Sequence, residues 1–527
     1  MLLKADAGPA GVTTHGSGRL AQRVLSTARR QWSDPLSRGG LALLVNTGLT
    51  GVLGFVYWII AARLFSTYTV GATGALISAT TLFASIGQLN LSNMLMRFLP
   101  NAGGKSRRLV LSTYAYAAIT PASLALMSLI AIRLFAAPNS RLRLDTVESA
   151  ALVLAAAATA IFAIEDSVLV GLRRAVWVPV ENGAFGIAKI FVLFAVAPVG
   201  TAFALYSAWM IPLTLTIPVI SIVIFGRFLP PAFKTRRRAR LGRATRSSIV
   251  RFTVGDATGN LFTQIWTYLL PVLIAASLGA SINALFFTSF LFSTAIDQVA
   301  SSYASPLVVE GAHSPEEIAA LIGAALRHIF AIILPAVAVL IIMCPWLLRA
   351  FGAKYVNAVP LMCLLLTACI PKAVATVYYA YCRICRTTHR SAMVQAYVCI
   401  ATLSATMLLG RCMGLIGVGL AIVSVQSSVG AISWLALRRG LRESQHRGDR
   451  RGRHRRPRNR GATSRIGISA TKDEGYLTPL CSTRSTAAGA TMDAGKAVFR
   501  TRLGEESAFG RIDQSHNDIF LPTRRRP

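Results

Sequence analysis

The residues best suited to chemistry are charged and amide side chains inside long apolar segments. Two sets repeat every three or four positions: Asn90, Asn93 and Arg97, and Asp256, Asn260 and Gln264. Such spacings place each set on one face of a helix. A charged group at bilayer depth costs at least ~2.5 kcal/mol on insertion scales, so these faces should line a cavity, pair with another group, or lie near a helix end. For Arg97, a helix end with the side chain reaching the membrane surface is the competing interpretation.

Other charged residues stand in apolar surroundings without such a repeat: Glu165, Asp166, Glu181, Lys189, Asp297 and Lys372. Glu165 and Asp166 either line a cavity or join two helices. Lys189 lies near mid-membrane, and two interpretations stay open for it. It could meet a phosphate of the substrate, or it could pair with a buried carboxylate such as Glu181, two helical turns away on the same face.

Motifs of enzymes and of nucleotide-driven pumps are missing from the sequence. It has no phosphate-binding P-loop, no HExxH zinc pair and no G-x-S-x-G nucleophile turn. We therefore expect no enzymatic activity and no cofactor. Any energy for transport should come from an ion gradient, the membrane potential, or consumption of the product.

The composition places these residues in membrane helices. Hydrophobic residues make up 54% of the 527 and charged residues only 14%, with a mean hydropathy of +0.54, whereas soluble chains carry about 25% charged residues. An apolar run of about 20 residues crosses the ~30 Å hydrocarbon core. Twelve helices are predicted: 41–64, 70–98, 109–136, 147–172, 175–198, 201–226, 252–279, 281–306, 327–349, 357–381, 391–410 and 414–436.

Basic residues predict the orientation of these helices. The net charge of +34 is concentrated in the segment before the first helix, in 227–251 and after 438. By the positive-inside rule, both termini and 227–251 should be cytoplasmic in a multi-pass plasma-membrane protein. The exceptions are Arg141, Arg143 and Lys354, which fall in predicted outside loops.

The same pattern predicts the domains: a cytoplasmic arm 1–40, a six-helix lobe 41–226, a basic linker 227–251, a second six-helix lobe 252–437, and a disordered Arg-rich tail 438–527. The tail should lie against anionic lipid headgroups, and no nucleic acid is expected as a partner.

The two halves look like copies of each other. A shift of 210 positions places Gly87 and Gln88 on Asp297 and Gln298. Six helices in each half make both halves enter the membrane in the same direction. The predicted fold class is an all-α polytopic membrane protein, with about 12 transmembrane helices in two parallel six-helix halves around a central cavity.

Short motifs carry a resemblance to a known family. They are Asn46-Thr-Gly, Ala62-Arg63-Leu-Phe, Val70-Gly-Ala, Arg97-Phe-Leu-Pro100, Phe351-Gly-Ala-Lys-Tyr355, Ala358-Val-Pro-Leu361, Ile370-Pro371 and Gly414-Leu-Ile-Gly-Val-Gly419. Over residues 41 to 437 the chain resembles polysaccharide-transporter flippases, the oligosaccharide-lipid flippases of the multidrug/oligosaccharidyl-lipid/polysaccharide (MOP) exporter superfamily.

The resemblance implies a flippase that moves a lipid-linked oligosaccharide or glycolipid precursor of cell-surface polysaccharide by alternating access. Glycosyltransferases or a polymerase of polysaccharide assembly are possible partners. Two alternatives stay open: a cation-coupled small-molecule or multidrug exporter of the same superfamily, suggested by the carboxylates, and a non-transporting membrane scaffold. The residues predicted to bind substrate or line the cavity are Asn46, Asn93, Arg97, Glu165, Asp166, Glu181, Lys189, Asp256, Asn260, Asp297 and Lys372.

Overall fold

The computed structural model describes residues 35–88, 91–136, 143–229, 244–313 and 317–454. Within these ranges every regular element is a helix. The predicted arm 1–40 lies almost wholly outside the described residues, as does most of the basic linker 227–251 and the chain after 454.

The N-terminal half contains seven helices. They are α1 (Pro35–Leu64), α2 (Thr67–Gly87), α3 (Leu91–Phe98), α4 (Ser106–Phe135), α5 (Thr146–Gly171), α6 (Trp177–Val196) and α7 (Ala202–Val223), the last of which ends in a π-helical turn, Ile224–Phe228. Short polar links set where these helices begin. The Ser66 hydroxyl accepts a 3.1 Å hydrogen bond from the Thr69 amide, and the Thr201 hydroxyl accepts one from the Ala204 amide, as N-cap residues do.

The C-terminal half contains α8 (Ala244–Ser277), α9 (Ala280–His313), α10 (Ile318–Phe351), α11 (Val359–Ile384) and α12 (Thr388–His454). Gly414 breaks α12, because its φ of 60° and ψ of −136° are not helical. The two arms on either side of it fold back on each other, and the Tyr397 and Ser428 hydroxyls lie 3.5 Å apart. The predicted boundary between the last two helices is therefore present as a tight turn.

The predicted fold class is confirmed. Eleven described segments are long and apolar enough to span a membrane, and the last, 388–441, contains both arms of α12. The packing order also repeats between the halves. α2 packs on α4 and α5 as α9 packs on α10 and α11, while α1 packs on α6 as α8 packs on α12. The chain is a multi-pass membrane protein built from two similar halves.

Two predicted boundaries differ from the structure. The second predicted helix, 70–98, is divided, because α2 ends at Gly87, where an added Cβ would lie 2.5 Å from the Pro121 ring on α4. The second difference is at the C-terminus, where α12 continues through His454. The predicted tail 438–527 therefore begins with a helical stretch, and its disorder stays a prediction. Arg, Leu, Glu and Gln favour helix there, and the first proline comes only at Pro457.

The halves meet mainly through α2, which packs on α8 and α9, and through α1, which approaches α10. Aromatic rings fill part of this boundary. Trp58 packs edge-on against Phe287, and Phe55 lies against Phe292, each pair with ring centres 4.8 Å apart.

Candidate functional site

A cluster of polar side chains lies inside the N-terminal half. It consists of Tyr114 on α4, Glu165 and Asp166 on α5, Glu181 and Asn182 on α6, and Ser221 on α7, and we call it the carboxylate cluster. α5 and α6 form a hairpin around a short turn in which Arg173 has a φ of 58°. Residues 165 and 181 are equally far from Arg173 along the chain, so an antiparallel hairpin brings them to the same level.

Glu165 and Glu181 form the centre of this cluster. Both are 0% exposed. Ser221 donates a 2.6 Å hydrogen bond to Oε1 of Glu165, and Tyr114 donates a 3.3 Å bond to the same oxygen. In the described part of the chain, no donor reaches Oε2 of Glu165 or either carboxyl oxygen of Glu181.

Asp166 is satisfied in a different way. The Asn182 amide nitrogen lies 3.0 Å and 3.2 Å from its two carboxyl oxygens and donates to them. Positions 166 and 182 thus combine a carboxylate with a neutral amide donor. The neighbouring positions 165 and 181 both carry carboxyl groups.

Lys189 lies two turns further along α6. Its Nζ is 5.0 Å from the ring centre of Tyr57 on α1 and 5.2 Å from that of Phe185. The only ion pair among the described residues is elsewhere, so the predicted alternative of a Lys189–Glu181 pair is not observed. The half-buried ammonium contacts aromatic faces, which attract a cation through the ring quadrupole.

That ion pair joins Asp297 on α9 to Lys372 on α11. Nζ of Lys372 is 2.5 Å from Oδ2 of Asp297 and 4.8 Å from the ring centre of Trp266 on α8. The side chains remain 25% exposed for Lys372 and 16% exposed for Asp297. The C-terminal half therefore supplies its own cation to its central carboxylate.

The equivalent position in the N-terminal half is neutral. A shift of 210 residues aligns Asp297 with Gly87 at the end of α2. The next residue, Gln88, donates a 3.4 Å hydrogen bond to the Ala160 carbonyl of α5, the helix that corresponds to α11. The same joint between two helices thus holds an ion pair in one half and an amide in the other.

The other predicted residues lie on α1, α3 and α8. Asn93 and Arg97 are exposed on α3, where Arg97 lies 5.6 Å from the Phe98 ring centre. Asn260 is exposed on α8, and the side chain of Asp256 lies outside the described residues. Asn46 on α1 is half-buried, and none of the described residues donates a hydrogen bond to its side-chain oxygen. The substrate-binding role of all eleven residues stays a prediction.

Three hydrogen bonds connect the halves at one end of the molecule, which we call the closed end. Arg63 donates from Nε to the Ala350 carbonyl at 2.8 Å and from a terminal guanidinium nitrogen to the Arg349 carbonyl at 2.9 Å. Asn283 donates a 2.7 Å hydrogen bond to the Gly71 carbonyl. A Cβ added to Gly71 would lie 1.7 Å from the Ala280 carbonyl oxygen, so only glycine permits this approach.

Sequence reasoning missed Tyr114, Ser221 and Trp266. A tyrosine, serine or tryptophan in an apolar helix carries no local signal of its partner. The 165–181 pairing had a signal, because both residues stand eight positions from the predicted turn. Among the described residues, no group of three or more His, Cys, Asp or Glu side chains is placed to hold a metal ion.

The fold is similar to that of several solved structures. No protein-family model matches the sequence, and no curated protein matches it. The structure is similar to an inward-facing multidrug resistance MATE family transporter of the MOP superfamily, with a TM-score of 0.53, 16% identity, and coverage of 79% of this chain and 98% of that one.

Two further solved structures are similar. An outward-facing multidrug resistance MATE family transporter of the MOP superfamily gives a TM-score of 0.51 at 14% identity, covering 78% of this chain and 96% of that one. A MOP superfamily transporter from Pyrococcus furiosus gives 0.52 at 14% identity, covering 78% and 97%. At these identities the similarity establishes the fold.

Proposed function

We propose that this chain is a flippase that moves a lipid-linked oligosaccharide, or a similar anionic glycolipid precursor of cell-surface polysaccharide, across the plasma membrane. The observation that carries the proposal is the environment of Lys189. Its ammonium lies deep in the helical bundle against Tyr57 and Phe185 and has no carboxylate partner among the described residues. A headgroup phosphate would supply the missing negative charge.

The closed end supports alternating access. Arg63 and Asn283 tie the halves together there. At the far end of α2, by contrast, Asn93 and Arg97 on the following helix α3 are exposed. Similar folds have been solved in inward-facing and outward-facing conformations. With both termini in the cytoplasm, as the basic loops predict, the closed end lies on the outer side and the substrate enters from the inner leaflet.

A second candidate function is a cation-coupled small-molecule exporter. The oxygens of Glu165 and Glu181 that lack donors favour it, because such atoms can hold a coupling cation or proton. Two of the similar structures are multidrug resistance transporters, which also favours this candidate. The candidates differ in substrate charge, because the unpaired ammonium of Lys189 would attract an anion and repel an organic cation.

Further partners follow from the proposed function. The glycolipid would come from glycosyltransferases, and its product would pass to a polymerase of polysaccharide assembly. The arginines of the terminal segment of α12 and of the chain after it would contact anionic headgroups, which attract each nearby basic residue by about 1 kcal/mol.

The test is flipping of a fluorescent polyprenyl-diphosphate-linked sugar in liposomes containing the full-length protein. We expect Lys189→Ala to slow flipping by at least about tenfold, because a charge-assisted hydrogen bond contributes roughly 1.5–3 kcal/mol. Lys189→Arg should retain part of the activity, since it keeps the charge but changes the donor geometry. The control is Lys354→Ala, which removes an exposed lysine from the link between α10 and α11.

Two results would contradict the proposal. Full flipping by Lys189→Ala at matched protein content would remove Lys189 from substrate binding. Transport of a small organic cation by the wild type, without flipping of the lipid-linked sugar, would favour the exporter.

A further inference from the structure

We propose that a cavity at the start of α4 binds an anionic phospholipid of the surrounding membrane, with the lipid phosphate held by Arg107 and Arg108. This surface is separate from the residues that carry the proposed function, so the inference does not depend on what the protein transports. The partner is a phospholipid with a net negative charge, such as phosphatidylglycerol.

The first observation is the cavity itself. It has a volume of about 450 Å³ and is lined by Gly104, Arg107, Arg108, Leu111 and Ser112. Spacings of three and four positions place these residues on one side of α4 and of the link before it. Small-ligand sites have volumes of about 300–1,000 Å³, so the headgroup of a phospholipid fits this one.

The second observation is uncompensated positive charge. Arg107 and Arg108 are exposed, and neither forms an ion pair with a described carboxylate. The described acidic residues of the N-terminal half lie elsewhere, either in the carboxylate cluster inside the bundle or at Asp145 and Glu148, beyond the far end of α4. Guanidinium groups match a phosphate well, because they donate two parallel hydrogen bonds to its oxygens.

The third observation is depth in the membrane. The candidate membrane span that contains α4 is Gly103–Phe135, 33 residues long, which corresponds to about 50 Å of helix. The hydrocarbon core is ~30 Å thick, so about 10 Å at each end of the span lies among the headgroups. Arg107 and Arg108 are about 6–8 Å from the start of the span and therefore lie at the level of the lipid phosphates.

The same side of α4 continues as an apolar surface. α4 packs mainly on α2 and α5, and Leu111, Ile119 and Leu126 on its other side are exposed. Steps of eight and seven residues are about two helical turns each, so these side chains follow one another towards the membrane centre. A lipid whose phosphate lies in the cavity can therefore place an acyl chain along this stripe.

Other basic residues of the same membrane surface provide a comparison. Arg173, in the turn after α5, and Arg227, in the π-helical turn after α7, are both exposed. Neither lines the cavity. Each would feel the general attraction between a basic residue and an anionic membrane surface, which is about fivefold in affinity. Specific binding at the cavity must exceed the effect of removing these two charges.

The test is native mass spectrometry of the full-length protein in detergent, titrated with dioleoyl phosphatidylglycerol or dioleoyl phosphatidylcholine. We expect the wild type to bind its first phosphatidylglycerol about thirtyfold more tightly than its first phosphatidylcholine, since two arginines contribute about fivefold each. The double variant Arg107→Gln, Arg108→Gln should lose this preference. The double variant Arg173→Gln, Arg227→Gln removes the same charge from the same surface and should keep it.

Three results would overturn the proposal. The first is equal affinity of the wild type for the two lipids, a measurement that does not depend on the folding of any variant. The second is an equal loss of preference in both double variants, which would show a general attraction without a site. The third is displacement of the bound phosphatidylglycerol by millimolar inorganic phosphate, which would identify an ion site with no role for the acyl chains.

The same titration separates this site from the transport substrate. We expect the fluorescent polyprenyl-diphosphate-linked sugar not to displace phosphatidylglycerol from Arg107 and Arg108. Displacement at equal concentration would assign the cavity to the transport substrate and overturn the phospholipid proposal. Selective phosphatidylglycerol binding by a protein that flips no lipid-linked sugar would leave this site standing and reject the flippase.

Discussion

Asp297 and Lys372 are 75 residues apart in sequence, yet their side chains form an ion pair of 2.5 Å between α9 and α11. Trp266 of α8 packs against the ammonium, with its ring centre 4.8 Å from Nζ. Three helices of the C-terminal half thus converge on one pair of opposite charges.

Removing one member of this ion pair should destabilise the protein more than removing both. We expect Lys372→Ala to lower the free energy of unfolding by about 3 kcal/mol, because it leaves Asp297 without a counter-ion. The double variant Asp297→Ala, Lys372→Ala should recover part of that loss, with a coupling energy of about 1–3 kcal/mol in a denaturant titration in detergent. Additive losses would show that the pair contributes nothing beyond its separate contacts.

Lys189 and Glu181 should behave as independent residues. Lys189 contacts aromatic rings, and no ion pair joins it to Glu181, so a double-mutant cycle on unfolding should be additive within about 0.5 kcal/mol. The variants are Lys189→Ala, Glu181→Gln and their combination. A coupling above about 1 kcal/mol would restore the ion-pair interpretation.

Gly71→Ala should force the halves apart at the closed end. The new methyl group would overlap the Ala280 carbonyl, and such overpacking costs about 1–3 kcal/mol. Gly51→Ala in α1 is the matched control, because a Cβ there meets no atom within 4 Å. The readout is the free energy of unfolding of both variants, and equal values would show that the closed end accommodates the methyl group freely.

Gly414→Ala should weaken the turn between the arms of α12. L-residues rarely adopt φ 60° and ψ −136°, and a strained backbone position costs about 1–3 kcal/mol. Gly323→Ala inside α10 is the control, since its added Cβ also meets open space but its backbone is helical. We expect thermal unfolding to shift downward only for Gly414→Ala.

Hydropathy predicted most of the helices, because crossing the bilayer demands a length and a composition that are visible in sequence. The turn at Gly414 was predicted for the same reason. The break after Gly87 was not, because the apolar run continues past it; the packing of Pro121 from another helix against that glycine is visible only in the structure. Likewise, the continuation of α12 to His454 follows from helix propensity in a polar segment, where hydropathy gives no signal.

The candidate site was predictable by residue but not by partner. Glu165, Glu181, Lys189, Asp297 and Lys372 were all evident, since a charge in an apolar segment is conspicuous. Which charges meet depends on how each helix is rotated and on which helices adjoin, and neither is encoded locally. Lys189 illustrates this, because the ring of Tyr57 reaches its ammonium only through the packing of α1 against α6.

The bonds at the closed end also bear on how often the molecule opens. If Arg63 and Asn283 contribute about 1 kcal/mol through each of their three hydrogen bonds to the opposite half, the closed arrangement gains about 3 kcal/mol from them. That corresponds to a population ratio of roughly 150 to 1 from these bonds alone. A substrate or ion that opens this end must bind the open form more tightly by at least that factor, so its differential affinity, more than its affinity, determines what fraction of the protein is open.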